Sequence, residues 1–236
     1  MSEIKPKTEN VREMFNDIAP TYDSLNHILS LSIDKLWRQR VVKAIRRVGA
    51  KQILDVATGT ADLAIAMARK IKDSTICGID LSVQMLEVAR AKVNKQGLEN
   101  RITLMEGNAE HLEMQSESVD AVTIAFGIRN FENKEACIEE LKRVIRCGGH
   151  LVILEFSNPK NRFIGWIYRI YSHNILPWIG GLISKNRSAY EYLPSSVDSF
   201  PSPELFSQML SNAGFTDIVR RSQSFGIAQI YIAKKP

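Results

Sequence analysis

The sequence predicts a doubly wound α/β domain, a mostly parallel sheet flanked by helices and ended by an antiparallel hairpin. Three observations carry the prediction. From Lys51 onward short apolar runs alternate with amphipathic helical stretches, the pattern of a parallel sheet with right-handed crossovers. The segment SVDAVTIAFG contains a continuous apolar run, as expected of a strand covered on both faces. The last two strand-like runs, FTDIVRRS and SFGIAQIYIAK, are separated by almost nothing, so they pair antiparallel.

Each element has its own signature. Asp34 is placed to cap a helix whose apolar face is Trp37, Val41, Ile45 and Val48. Arg38, Arg40, Lys43, Arg46 and Arg47 of that helix read as a solvated basic face. KQILDVA is the first strand and TADLAIAMARK its helix; STICGID ends the second strand at Asp80. Ser82 then caps a helix that turns Leu86, Ala89 and Val93 inward. RITLMEG is the third strand and SVDAVTIAFG the fourth. A helix from Asn133 to Ile145 points Ile138, Leu141 and Ile145 inward, Gly148 and Gly149 turn the chain, and HLVILEF is the fifth strand. Between Pro159 and Phe200 the pattern is interrupted. It resumes with a helix from Pro203 to Ala213, aligning Leu205, Met209 and Ala213, and a stop at Gly214.

The 236 residues suit one domain, here with a helical lid over 1–49 and an insertion over 159–200. The net charge of +5 permits an anionic partner without identifying one. Cys77, Cys137 and Cys147 are sparse and odd in number, which argues for a reducing compartment and against a disulfide framework. The four histidines are scattered and none sits in an HExxH spacing, so no metal is expected. The first residues, MSEIKPKTEN, lack the apolar core of a secretion signal, and no run reaches eighteen apolar residues. A cytoplasmic protein is the expectation.

The first strand ends in ILDVATGTADLA, at the switch point where doubly wound sheets bind ligands. Ala57, Gly59 and Ala61 make a small-residue turn that lets the backbone approach a ligand, and Asp55 supplies an anion for a cationic amine. Asp80 closes the second strand about twenty residues on, where an acid can accept both ribose hydroxyls of an adenosine. Asn108 and the backbone of Ala109, after the third strand, are placed to meet the adenine. A dinucleotide would need G-x-G-x-x-G, and Ala57, Gly59 and Asp62 stand at those positions. The pyrophosphate loses its turn; an adenosine without phosphates does not need it. The combination favours S-adenosyl-L-methionine, and with the terminal hairpin it makes the fold that of class I methyltransferases.

With those residues in view, the chain resembles the menaquinone/ubiquinone biosynthesis C-methyltransferases, the UbiE/MenG family, over nearly its whole length. The resemblance rests on APTYDSLNHILSLSIDKLWR, DVATGTAD, AFGIRNF from Ala125, RVIRCGGHLVILEFS from Arg143, and the late AGF and FGIA turns. Asp34 stands where that family often has histidine, and Cys147 where it often has proline. The resemblance implies cofactor contacts at Thr60, Asp80, Asn108 and Ala109. It further implies C-methylation of a polyprenylated quinol, demethylmenaquinol to menaquinol ahead of the benzoquinol of ubiquinone synthesis, and leaves a homodimer open.

Methyl transfer from a sulfonium is an in-line displacement governed by positioning. A quinol carbon becomes a good nucleophile once a neighbouring hydroxyl loses its proton, and phenols titrate near pH 10. Arg129 and Asn130, just past the fourth strand, are the expected catalytic pair. Arg129 stabilises a phenolate or holds a water, unless it forms a structural ion pair instead. Tyr22, in the lid, bonds the substrate or the methionine carboxylate. The insertion carries Phe163, Trp166, Tyr168, Tyr171, Trp178, Tyr190 and Tyr192. Between Asn158 and Tyr190 it adds Lys160, Arg162, Arg169, Lys185 and Arg187 with no Asp or Glu. Aromatic bodies with basic edges suit a peripheral site at the inner face of the membrane, or a lid over the substrate. A nicotinamide oxidoreductase is disfavoured by the missing glycines and a purely membrane-binding module by AFGIRNF. Nucleic acid is not an expected partner, because no Asn-Pro-Pro-aromatic or Pro-Cys motif is present.

Overall fold

The computed structural model describes residues 7–175 and 187–236. Three helices come first, α1 (Lys7–Ile18), α2 (Tyr22–Leu29) and α3 (Ile33–Val48). The alternation then runs β1 (Gln52–Val56), α4 (Asp62–Lys70), β2 (Thr75–Asp80), α5 (Val83–Lys95), β3 (Ile102–Glu106) and β4 (Val119–Ala125). A 3-10 turn (Ile128–Asn130), α6 (Lys134–Val144) and β5 (Ile145–Phe156) follow. The interruption holds α7 (Arg162–Ile170), a π-helical turn (Tyr171–Ile175) and α8 (Arg187–Asp198). The chain ends in α9 (Pro203–Asn212), β6 (Thr216–Gln223) and β7 (Ala228–Lys234). Trp178 and Lys185 of the aromatic-basic stretch lie outside the described residues. Among the described residues no helix is long and apolar enough to cross a membrane.

The seven strands lie in the order β3-β2-β1-β4-β5-β7-β6. β7 runs antiparallel to both its neighbours, and β1 to β5 pair in parallel. Alternating side chains feed two cores, since Ile53, Ala121 and Val152 face one layer and Leu54, Val122 and Ile153 the other. Trp37, Val41 and Ile45 of α3 and Leu63, Ala64 and Met67 of α4 cover the first. Ile138 and Leu141 of α6 and Phe206 and Leu210 of α9 cover the second. Of the segment 1–49 only α1, α2 and the turn between them pack separately, with Ile18, Ala19 and Leu25 against Met85 of α5, whereas α3 belongs to the first core.

Several caps are the predicted ones. Ser82 accepts the Met85 N–H, and Asn133 accepts that of Ala136. Other elements differ. Asp34 does not cap α3: Ser32 precedes the helix, and the buried Asp34 carboxylate takes the Ser30 hydroxyl and the Arg38 guanidinium. The inward face of α9 centres on Phe206 and Leu210, with Met209 and Ala213 packed beside them as expected, while Leu205 is exposed, because adjacent positions on a helix lie 100° apart. The Gly148-Gly149 turn sits inside β5. Residues 146–149 bulge between the pairs Val119↔Ile145 and Ala121↔His150, with Gly148 at φ 77. Ile145 opens that strand, buried as expected.

Candidate active site

The strand order reverses between β1 and β4, so the carboxyl ends of those strands part there and leave a crevice. The turn after β1 holds Ala57, Gly59 and Ala61 at φ 53, 56 and 65. Across from it Phe126 after β4 is also left-handed, at φ 62. Non-glycine residues in that region store strain, which concentrates at ligand sites. The two turns touch: a Cβ on Gly127 would stand 2.5 Å from the Ala57 Cβ.

The result is a cleft of about 700 Å³ of open space. Gly59, Asp80 and Asn108 form its floor, Asn130 and Phe131 one wall, and Val11 and Phe15 of α1 its roof. Asp80 is held from both sides, Oδ2 accepting the Gly59 N–H at 2.8 Å and Oδ1 that of Ser82 at 2.9 Å. Burial raises its pKa, and the backbone donors oppose the shift. Each oxygen keeps a lone pair for a ligand hydroxyl. Asn108 faces the cleft while its Oδ1 accepts the Glu110 N–H. Ala109 turns its side chain into the core cluster of Ile79 and Leu112.

A smaller chamber of about 340 Å³ adjoins the cleft and shares Tyr22, Ala57, Gly59 and Ala125 with it. Arg38, Asp55, Thr58, Thr60, Asp62 and Leu63 complete its lining. Asp55 accepts the hydroxyls of Thr58 and Thr123 at 2.7 and 2.5 Å. Burial pushes its pKa up to about 6, against the pull of those two hydroxyls. Thr60 donates to Asp23, and Lys92 bridges Asp23 and Asp62 at 2.6 Å each. Burial would raise Asp62, but Arg38 and Lys92 hold it below the usual range. Tyr22 stands between the two chambers, its phenol raised by burial and eased by Arg129 and Arg38.

Arg129 is not brought to the cleft. Its Nη1 is 2.9 Å from Glu155, its Nε donates to Ser196, and it also donates to the Phe126 carbonyl. Pair and partner are buried, 6% and 0% exposed. Of the two roles expected for Arg129, stabilising a phenolate or water and forming a structural ion pair, the structure shows the ion pair; its neighbour Asn130 lines the cleft. Tyr192 donates to the Asn130 side chain at 3.2 Å.

Sequence reasoning overlooked three contributors. Arg38, placed on a solvated face, lies in the chamber over the Phe126 ring. Glu155 sits at the carboxyl end of β5 with nothing local to mark its partner. The roof carried a legible signal, since Val11, Phe15 and Ile18 follow helical spacing.

The chambers fit S-adenosylmethionine: a floor carboxylate and an amide for adenosine, and Arg38 with Asp55 and Asp62 for an amino acid's two charges. Comparisons agree. The ubiE/COQ5 methyltransferase family matches residues 3–235. The chain is 41% identical over 229 residues to the demethylmenaquinone methyltransferase of Bacteroides fragilis, covering 97% of this chain and 94% of that one. It is 44% identical over 236 residues to the ubiquinone/menaquinone biosynthesis C-methyltransferase UbiE of Geobacter sulfurreducens, covering 100% and 92%. Its fold is similar to a SAM-dependent methyltransferase from Aquifex aeolicus, with TM-score 0.57, 19% identity and 82% and 88% of the chains covered.

Proposed function

The chain belongs to the ubiE/COQ5 methyltransferase family and uses S-adenosyl-L-methionine, and from that premise we propose that it converts demethylmenaquinol to menaquinol by C-methylation. The observation that carries the reading is the seating of Asn130 and Tyr22 in one cleft with Asp80. An amide and a phenol then stand where quinol hydroxyls need orienting, beside the carboxylate that takes an adenosine's ribose.

The cofactor supplies a methyl group on a positively charged sulfur. Asp80 would accept the ribose hydroxyls, and Asn108 and the backbone of Ala109 would meet the adenine. Gly59 leaves room for close approach, and Thr60 fixes the turn through Asp23. Arg38, Asp55 and Asp62, which line the smaller chamber, would hold the methionine end by charge. Tyr22 and Asn130 would align the quinol ring, and α1 over the cleft would keep water from the transferring methyl group. Arg129 acts one layer back. With Glu155 it pins the 128–130 turn, since Glu155 Oε2 also accepts the Arg129 N–H at 3.2 Å, and its charge favours the phenolate by its field.

The substrate's prenyl tail stays in the bilayer, so the enzyme attaches peripherally, through the basic residues Lys160, Arg162 and Arg169 and the aromatic side chains between them. Replacing the three with Ser reduces binding to anionic vesicles at low salt and shrinks its salt dependence.

Mass spectrometry of quinones from cells lacking the protein tests the reaction. Demethylmenaquinone accumulates if the proposal holds. Accumulation of the unmethylated benzoquinone instead would move the substrate to ubiquinone synthesis, and accumulation of neither would remove the quinol.

A further inference from the structure

Two large apolar side chains stand in solvent on left-handed backbone: Leu31 is 82% exposed at φ 50, and Phe225 is 81% exposed at φ 60. Neither buries its side chain in the fold, and glycine would relieve the strain at both. A third feature lies nearby in space. None of the residues of α7 is buried, and it presents Phe163, Trp166 and Ile167 to solvent. Phe163 and Trp166 stack on each other with ring centroids 6.5 Å apart.

These features come from distant parts of the sequence, and contacts at the carboxyl ends of β4 and β5 link the segments that carry them. Trp37, near the start of α3, packs on Phe126 and Phe156 at the ends of β4 and β5. Its Nε1 donates to Ser224 at 3.1 Å. Two residues on, the Gly226 carbonyl accepts the Ser157 hydroxyl at 2.6 Å, and a Cβ on Gly226 would lie 3.4 Å from the Pro159 Cα. Phe225 therefore stands between the start of α3, where Ile33 and Leu36 are exposed as well, and the segment leading into α7. Phe126, on which Trp37 packs, also lines the cleft.

We propose that Phe225, the α2–α3 turn at Leu31 and helix α7 form a single docking face for an anionic phospholipid bilayer, with Phe225 at its centre. The inference rests on the reading that the quinol's tail stays in lipid. Charge complementarity favours this occupant. From Asn158 to Asn174 the chain carries Lys160, Arg162 and Arg169 and no acidic residue, although Lys160 shares an exposed ion pair with Glu204. An aromatic four-fifths exposed projects outward, and a bilayer accepts it without a shaped socket. Attachment then has two separable parts, a salt-sensitive one from the basic residues and an apolar one that crosses between segments.

The test uses the full chain and vesicles of equal parts phosphatidylglycerol and phosphatidylcholine. Phe225→Gly suits the backbone at that position, so it should melt at or above the wild-type temperature. Co-sedimentation should show its vesicle binding weakened by about tenfold or more, at low and high salt alike. Leu31→Gly should act in the same direction, and turnover of a short-chain, water-soluble quinol should be unchanged in both. Phe225→Gly binding vesicles as the wild type does would overturn the proposal. So would a wild-type dimer that Phe225→Gly converts to monomer, because the face would then belong to a second copy. Wild type that ignores vesicles would end both this proposal and peripheral attachment, while the quinone profile of cells lacking the protein would still report separately on the reaction.

Discussion

Glu155 is wholly buried, and its oxygens bind the Arg129 side chain and the backbone N–H groups of Arg129 and Phe156. Removing the guanidinium leaves that carboxylate unpaired in the core, which typically costs about 3–5 kcal/mol. Arg129→Leu should therefore destabilise the protein by that order, and adding Glu155→Leu should restore most of the loss. Urea unfolding of the three proteins decides the matter; a single variant as stable as wild type would mean the pair carries no structural load. Asp55 makes a second prediction at this scale. Its folded pKa of about 6 lies above the ordinary value near 3.9, so between the two the native state binds more protons than the unfolded chain. Stability from this group is present below about pH 4 and lost as pH rises through about 6, by up to roughly 3 kcal/mol. Asp55→Asn has no such proton. Its stability relative to wild type should climb between pH 4 and 7 in cofactor-free protein, and a constant gap in urea midpoints would contradict the raised pKa.

Elements were legible where their signals are local. Strands announced themselves by apolar runs, and Ser82 and Asn133 by cap chemistry, because each depends only on neighbours within a turn. The centre of the α9 face was misplaced because Leu205 and Phe206 are both apolar and adjacent, and only the facing residues on α6 and β7 decide between them. Arg38 was misjudged for a related reason. Helical periodicity places it off the Trp37 stripe; the i,i+4 spacing to Asp34 pairs the two, but that α4 also brings Asp62 up on that side no spacing within α3 reveals. The turns after β1 and β4 yield a prediction of their own. Gly127→Ala would set a Cβ 2.5 Å from that of Ala57 and 3.3 Å from Ile124 Cγ2. Overpacking of this kind costs about 1–3 kcal/mol. Here it pushes on the turn that floors the cleft, so S-adenosylmethionine affinity should fall about tenfold. Calorimetric titration with unchanged affinity would show that the two turns yield independently.

For the whole molecule, a cofactor that binds only the folded state stabilises it. At a concentration 100 times the dissociation constant the gain is about 2.7 kcal/mol, which for a chain of this size is a melting shift of roughly 5–10 °C. Asp80→Ala should need about ten times more S-adenosylmethionine for the same shift, and equal titration curves would remove Asp80 from the site. The architecture by itself specifies the cofactor better than the substrate, since one fold serves many chemistries; the quinol is read from the family and from Asn130 and Tyr22. One topological detail also dictates the order of assembly. β7 follows β6 in sequence yet lies between β5 and β6, so β6 reaches the sheet only through a strand that comes after it. The two are joined by the short connection 224–227 and pair locally, which is entropically cheap compared with bridging β1 to β4. They should therefore form as a unit that docks through β7 onto β5. Pulse-labelling hydrogen exchange during refolding should find the amides of β6 protected no earlier than those of β7, and the reverse order would mean that the outermost strand finds its place by another route.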